Sequence, residues 1–321
     1  MHAGGVLVVG DGPAGCAAAI SAAKAGCRVT MVGIGRSRAV PEFASSAALR
    51  LLDSIAPEVA ARADVWLAEG GPGDTGRALD RARFDTGLRE ATVRAGVDYR
   101  RMPAAMLRPR VDGHRMVGVE GLSDSGMDAD ALAVIDATGV NGWLRRSVGL
   151  AEVVDSRPWW LQRGAGVLDG GRARHPATHF AIGPDGWLWR HAIPHGCIWT
   201  ALRSSRDTTL AWPDDMQPVG RIWRECRRWR HLRQPAGAGF FVCGDAAAIS
   251  ILRREMACVL RWSRAPVPAR WRLAWCVGRS AAAWRRRYMR TGCCKPIRPV
   301  GQHWLVSTQP RICPCDSGFR D

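Results

Sequence analysis

Three short apolar runs stand out along the chain: Val6-Leu-Val-Val9, Ala131-Leu-Ala-Val-Ile135 and Phe240-Phe-Val242. Each is too short for a helix and does not alternate, the pattern of a strand buried on both faces of a parallel sheet. The first enters the turn Gly10-Asp-Gly12-Pro13-Ala14-Gly15, and small residues then run on at helical spacing from Cys16. Cys27-Arg-Val-Thr-Met-Val-Gly33 predicts a second strand. Residues 44–63 read as a helix with a serine cap. Arg83-Phe-Asp85 opens a further helix that closes at Gly96, where a C-cap glycine belongs. A strand pair is predicted between Val111 and Leu122, and a short helix from Trp143 to Gly149. Residues 155–235 change character, with turns at Pro184-Asp-Gly186 and Pro194-His-Gly196 and strand alternation between them. That alternation puts Trp187, Trp189, His191 and Ile193 on one face, followed by Cys197 and Trp199 on the next strand. Such a face floors a flat-substrate pocket or packs as an aromatic core; the pattern alone leaves both open. Residues 220–233 predict a basic amphipathic helix with Ile222, Cys226 and Trp229 inward. The predicted fold class is α/β, a Rossmann-like dinucleotide-binding fold with an inserted antiparallel β-sheet domain.

The glycine turn carries the first chemistry. In G-x-G-x-x-G between a strand and a helix, Gly10 permits the tight turn and Gly12 lets a pyrophosphate approach the backbone. Gly15 lets the helix pack on the strand. The pyrophosphate then meets the helix N-terminus, where Pro13 and Ala14 begin the first turn and the dipole favours negative charge. One expected part is missing. An acidic residue about 20 positions on should hold the ribose hydroxyls, and Gly33 stands there. Arg36 and Arg38 follow; they accommodate a 2′-phosphate or are solvated loop charges, and Glu42 is the alternative ribose partner.

Composition narrows the class. Apolar residues make up 47% of 321, enough for a large core in one or two domains. No stretch is long and apolar enough to span a membrane, and the N-terminus shows no secretion signal, so a cytoplasmic location is expected. Eleven cysteines then read as thiols, with Cys16 and Cys27 in the core. A net charge of +17 suggests nucleic acid. Its distribution argues against it: residues 251–321 hold 15 Lys/Arg against 3 Asp/Glu, so +12 of the +17 lies in that tail. His175, His179, His191 and His195 lie close in sequence, but on strands and turns without an acidic partner pattern, so no metal site is assigned. His191, on the aromatic face, is the candidate substrate-side acid/base, against the plainer reading of a hydrogen-bonded core histidine.

Three blocks, G-D-G-P-A-G at 10–15, D-A-T-G at 136–139 and G-D-A-A at 244–247, stand in a fixed order. Together they resemble the FAD-dependent monooxygenases of the p-hydroxybenzoate hydroxylase type and their flavin-dependent halogenase relatives, over roughly residues 5–250. The resemblance implies that Gly10, Gly12 and Gly15 hold the FAD pyrophosphate. It implies that Thr138 and Gly139 line the nucleotide cleft, and that Asp245 binds the pyrophosphate or ribityl region while Gly244 permits close approach. It implies an aromatic or other small organic substrate hydroxylated with reduced flavin and dioxygen, and NAD(P)H as a candidate reductant. The halogenase branch carries W-x-W-x-I-P and a catalytic lysine. Here Trp187-Leu-Trp189-Arg-His-Ala-Ile193-Pro194 is two residues longer, and the lysines are Lys24 and Lys295 alone, so halogenation is not expected.

The implied organisation is a first FAD-binding part at 1–154, a substrate domain at 155–236, a return segment at 237–250 and an anomalous basic tail at 251–321. After G-D-A-A the family continues with D-P-x-x-G-x-G, whereas this chain reads Ile251-Leu-Arg-Arg-Glu-Met-Ala257. A one-base deletion in the coding DNA near Ser250 is the expected origin, against the alternative of a genuine divergent tail. Restoring one G before Ile251 lets the same bases read Asp-Pro-Ser-Ser-Gly-Asn-Gly-Val. A chain lacking that loop is expected to bind FAD weakly and to have little or no activity.

Overall fold

The structure, a computed structural model, describes residues 5–37, 41–69, 76–122, 129–170, 178–183, 186–205, 214–249 and two short strands at 299–300 and 303–304. Ser250 and nearly all of the basic tail, His175, Arg38 and the Pro184-Asp185 turn lie outside these residues.

In chain order the first elements are β1 (Gly5–Val9), α1 (Pro13–Lys24), β2 (Val29–Gly33), β3 (Pro41–Ala44), α2 (Ser46–Ile55), α3 (Pro57–Ala60), β4 (Trp66–Glu69), β5 (Arg77–Asp80), α4 (Arg81–Arg94) and β6 (Asp98–Arg101). Next come β7 (Arg108–Asp112), β8 (Arg115–Glu120), β9 (Ala129–Asp136), α5 (Trp143–Val148) and β10 (Glu152–Val154). Then follow β11 (Trp159–Leu168), β12 (Thr178–Gly183), β13 (Gly186–Ile193), β14 (Gly196–Arg203) and β15 (Met216–Arg227). The series ends with β16 (Arg230–Leu232), β17 (Ala236–Gly237), β18 (Phe240–Val242) and β19 (Ala248–Ile249).

The three apolar runs pair as neighbours. The main sheet runs β17-β18-β9-β1-β2-β6, parallel from β18 to β6, with a β7-β8 arm leaving β9. Val8, Val9, Met31, Val32 and Val134 are fully buried between layers of helix and chain. Burying a side chain of this kind contributes about 1.5–3 kcal/mol. The small residues of α1 bring its backbone onto β1, and Cys16, Ala19 and Ile20 join the core beneath it. The Cys16 thiol is pushed up to about 12 by burial, as expected of an inert core cysteine.

The second unit is a five-stranded antiparallel sheet, β12-β13-β14-β11-β15. A small sheet, β3-β5-β4, lies between the two units, where Phe43 packs on Trp189 with centroids 5.4 Å apart. No helix among the described residues is long and apolar enough to cross a membrane.

Three expectations about elements change. The predicted 44–63 helix is two helices, broken at Ala56 before Pro57, because a residue ahead of proline is driven out of the α region. The Arg83 helix starts at Arg81, where the Asp80 carboxylate caps it by accepting from the Ala82 and Arg83 amides at 2.9 and 3.2 Å. The basic helix expected at 220–233 is strand. Residues 216–227 pair antiparallel with β11 and 230–232 with β10, so inter-strand hydrogen bonds decide against the helical period.

Candidate functional site

The C-terminal ends of β1, β9 and β18 lie side by side, and each hands over to one of the three sequence blocks. The Ala137 amide donates to the Val9 carbonyl at 2.7 Å, and the Cys243 amide donates to the Asp136 carbonyl at 2.9 Å. Gly10 has φ +113, and a Cβ there would strike the backbone of Ala137 and lie 2.9 Å from the Thr138 nitrogen. A Cβ on Gly15 would strike the Gly10 carbonyl, so α1 sits on the turn as closely as backbone allows. Gly244 has φ +60, and its Cβ would come within 2.8 Å of the Ala14 Cβ. Blocks more than 100 residues apart in sequence thus meet at the start of α1.

On the outer side the same residues face open space. A Cβ built on Gly12 or on Gly139 meets nothing within 4 Å. Gly12 is the N-cap of α1 and offers no side-chain acceptor, and Pro13 occupies the first turn. The first-turn amides of a helix lack intrahelical partners, and these have no capping side chain. A cradle of open glycine backbone at an uncapped helix N-terminus fits a pyrophosphate, the group at the centre of FAD.

The D-A-T-G block is held by a residue that motif reading passed over. Asp136 is fully buried. Its Oδ1 accepts from the Thr138 amide at 2.9 Å and from the Thr138 hydroxyl at 2.7 Å, and its Oδ2 accepts from the Leu144 amide at 2.8 Å. Thr138 Oγ1 in turn accepts from the Trp143 amide at 2.8 Å. The carboxylate therefore ties the turn to the N-terminus of α5. The Thr138 backbone lies against Gly10, and its hydroxyl is committed to this network. Gly139, φ +66, is the part of the block that faces open space.

Asp245 is open to solvent, yet it stands in a crowded recess. Loss of bulk water pushes its carboxyl above the ordinary aspartate range, opposed by Arg227, Arg81 and Arg163. Those arginines belong to one ion-pair chain that joins the two units. Arg81 binds Asp85 at 2.6 Å and Glu42 at 2.5 Å; Arg163 of β11 binds Glu42 at 3.0 Å and Glu225 at 2.8 Å; Arg227 pairs with Glu225. Burial works to lower Arg81, but Glu42 and Asp85 outweigh it and hold the guanidinium above its ordinary value. Glu42 is thus engaged by two arginines in the Asp245 recess, which removes it as the ribose partner at the end of β2. Arg36 is exposed beside β2, and Arg89 donates to the adjacent Ser37 hydroxyl at 2.7 Å.

The space at Gly33 is taken. A Cβ there would lie inside the Asp11 side chain, 2.6 Å from Asp11 Oδ1. Asp11 is 8% exposed, and its Oδ2 accepts from the Gly35 amide and the Tyr99 hydroxyl, each at 2.8 Å. Burial first, then the Asp11 acceptor, pushes the Tyr99 phenol above its ordinary value. The Asp11 side chain was legible only as the variable position of G-x-G.

His191 is fully buried. Its Nδ1 lies 3.0 Å from the Thr178 hydroxyl, and its ring stacks on Trp189 and tilts against Phe43. This is the environment of a core histidine, closed to a diffusing substrate, so the acid/base assignment is withdrawn. Of the histidines grouped in sequence, His179 lies on β12 and His195 in the β13–β14 turn. Among the described residues no group of His, Cys, Asp and Glu has the geometry to hold a metal ion.

Residues 5–69 match the family described as Glucose inhibited division protein A. The chain is 32% identical over 204 residues to digeranylgeranylglycerophospholipid reductase 2 of Methanopyrus kandleri, covering 57% of this chain and 50% of the relative. The chain thus spans about half the length of that curated relative. Among solved structures, a flavin-dependent brominase superposes with TM-score 0.60 at 16% identity over 77% of this chain and 72% of its own. A geranylgeranyl bacteriochlorophyll reductase-like protein from Thermoplasma acidophilum superposes at 0.58 and 21%, over 76% and 71%. The peptidyl tryptophan dihydroxylase QhpG superposes at 0.54 and 22%, over 77% and 61%. The chain therefore shares a Rossmann-type fold with flavin-dependent enzymes, and its residues 5–69 match a family model of that fold.

Proposed function

We propose that this chain binds FAD in the cradle of Gly10, Gly12, Gly15, Gly139 and Gly244 and is built as a monooxygenase-type hydroxylase of a small organic substrate. The observation that carries the reading is the meeting of the three sequence blocks around open glycine backbone at the N-terminus of α1. FAD, when bound, supplies electron transfer to dioxygen or to an unsaturated carbon. The chain's own part is binding and orientation. The α1 N-terminus and the glycine backbone take the pyrophosphate, and Asp245, next to Gly244, binds the pyrophosphate or ribityl region. The Asp85–Arg81–Glu42–Arg163–Glu225–Arg227 chain fixes the antiparallel sheet against the nucleotide unit, so that the substrate side is held over the cofactor side. NAD(P)H is the proposed electron donor.

The curated relatives favour a second reading, reduction of a carbon–carbon double bond in a geranylgeranyl chain, since they are named digeranylgeranylglycerophospholipid reductases. Purified protein titrated with FAD is expected to quench flavin fluorescence, and Gly12→Val to abolish the quenching while leaving the melting temperature in place. NADPH oxidation that consumes oxygen with substrate present supports hydroxylation; anaerobic turnover of a geranylgeranyl compound supports reduction instead. A chain that takes up no FAD refutes both and leaves the frameshifted remnant. Sequencing of the gene tests that third outcome directly: a single-base insertion near codon 250 should open a long frame reading Asp-Pro-x-x-Gly-x-Gly.

A further inference from the structure

We propose that Asp11 is the ribose-binding acid of this site, supplied from the glycine turn and occupying the place that a side chain at the end of β2 would fill. The inference rests on the FAD reading above. A dinucleotide site of this topology needs an acceptor at the C-terminal end of the second strand, to take hydrogen bonds from the adenosine ribose. Gly33 holds that position and has no side chain to offer. The vacated volume is filled by the Asp11 carboxylate, which a Cβ at residue 33 would overlap.

The two residues therefore form one device. A carboxylate at 11 requires glycine at 33, and a side chain at 33 requires the removal of the one at 11. The Asp11 group is also held in place. The Gly35 amide and the Tyr99 hydroxyl both donate to Oδ2, which fixes the carboxylate plane and directs both described hydrogen bonds to one oxygen. Tyr99 lies on β6, paired with Met31 of β2, so the acid is anchored to β6 and to the loop that follows β2. A carboxylate so oriented is preorganised as an acceptor and loses little conformational freedom when a ribose hydroxyl arrives. Arg36, exposed on the same loop, lies outside this carboxylate's hydrogen bonds.

The test measures FAD affinity of the full-length protein by fluorescence titration, with melting temperature recorded without cofactor. Asp11→Asn is expected to weaken FAD binding about tenfold, the effect of losing one charge-assisted hydrogen bond. Gly33→Glu alone is expected to lower the melting temperature and weaken FAD. Asp11→Gly combined with Gly33→Glu moves the carboxylate to the strand and is expected to recover both, to within about threefold of wild-type affinity for the cofactor, because the overlap that makes the single change costly is gone. The proposal is overturned if Asp11→Asn binds FAD within about twofold of wild type. It is equally overturned if the double variant melts normally but binds no better than Asp11→Asn, for then Asp11 only shapes the loop. Should Asp11→Asn not fold, the double variant alone decides by the same threefold limit. Wild-type protein that binds no FAD at all overturns the cofactor reading itself, a result separate from either of these.

Discussion

Replacing Asp136 by Asn tests whether the D-A-T-G block is a structural clamp. The carboxylate is fully buried and accepts three hydrogen bonds, from the Thr138 amide, the Thr138 hydroxyl and the Leu144 amide, at 2.9, 2.7 and 2.8 Å. Asparagine keeps one acceptor oxygen. Its amide nitrogen must then face either the Leu144 amide or the Thr138 pair, donor against donor. A buried amide left without an acceptor costs about 1–3 kcal/mol, and hydrogen bonds to a charged group are worth about 1.5–3 kcal/mol each. Losing one oxygen's share should therefore destabilise the protein by about 3 kcal/mol. With a urea m-value of about 3 kcal/mol/M, the unfolding midpoint should fall by about 1 M at unchanged m. Thr138→Val, which removes the hydroxyl's link between Asp136 and the Trp143 amide, should cost about 1–2 kcal/mol. Urea denaturation followed by circular dichroism reads both. A midpoint shift under about 0.2 M for Asp136→Asn, at constant m, would refute the clamp.

Glu42→Gln leaves Arg81 and Arg163 facing each other across the two units without their shared anion; a loss of about 1–2 kcal/mol is expected at low salt and less at high salt, read from melting curves at two ionic strengths. Asp245 has a folded-state pKa above its unfolded value, so the stability associated with this group is present below the unfolded pKa and is lost as pH rises through the folded one. Asp245→Asn should therefore melt higher than wild type above the ordinary aspartate range, with the difference vanishing in acid, in a melting series without cofactor. Gly244→Ala should weaken FAD binding and lower the melting temperature together, because its Cβ meets Ala14 at 2.8 Å and its φ is +60; an unchanged melt would contradict that close approach.

The nucleotide unit was legible in the sequence because its signals are local. Val6–Val9, the glycine turn and the small-residue helix lie within 20 residues, and strand, turn and helix periods are readable at that range. The same holds for the strand at 129–136 and the Pro194-His195 hairpin turn. The antiparallel unit was legible as a unit, but not in its last strand. Residues 216–227 carry a helical spacing of apolar side chains, and only pairing with the edge of β11, 48 to 68 residues away, made them strand.

By itself, the sequence determined the fold class, the glycine turn between β1 and α1 and the absence of an acid at the end of β2. Tertiary structure decided the rest, because each remaining assignment depended on a partner far along the chain. Glu42 looked free until Arg81 of α4 and Arg163 of β11 converged on it. His191 looked like a pocket residue until Phe43 and Trp189 closed over it. Gly33 looked like a defect until Asp11 was seen in the space beside it, 22 positions earlier in the chain but adjacent across parallel strands. Periodicity tells which face a residue is on; what fills the volume opposite it is settled only when non-local strands pair and side chains compete for the same space.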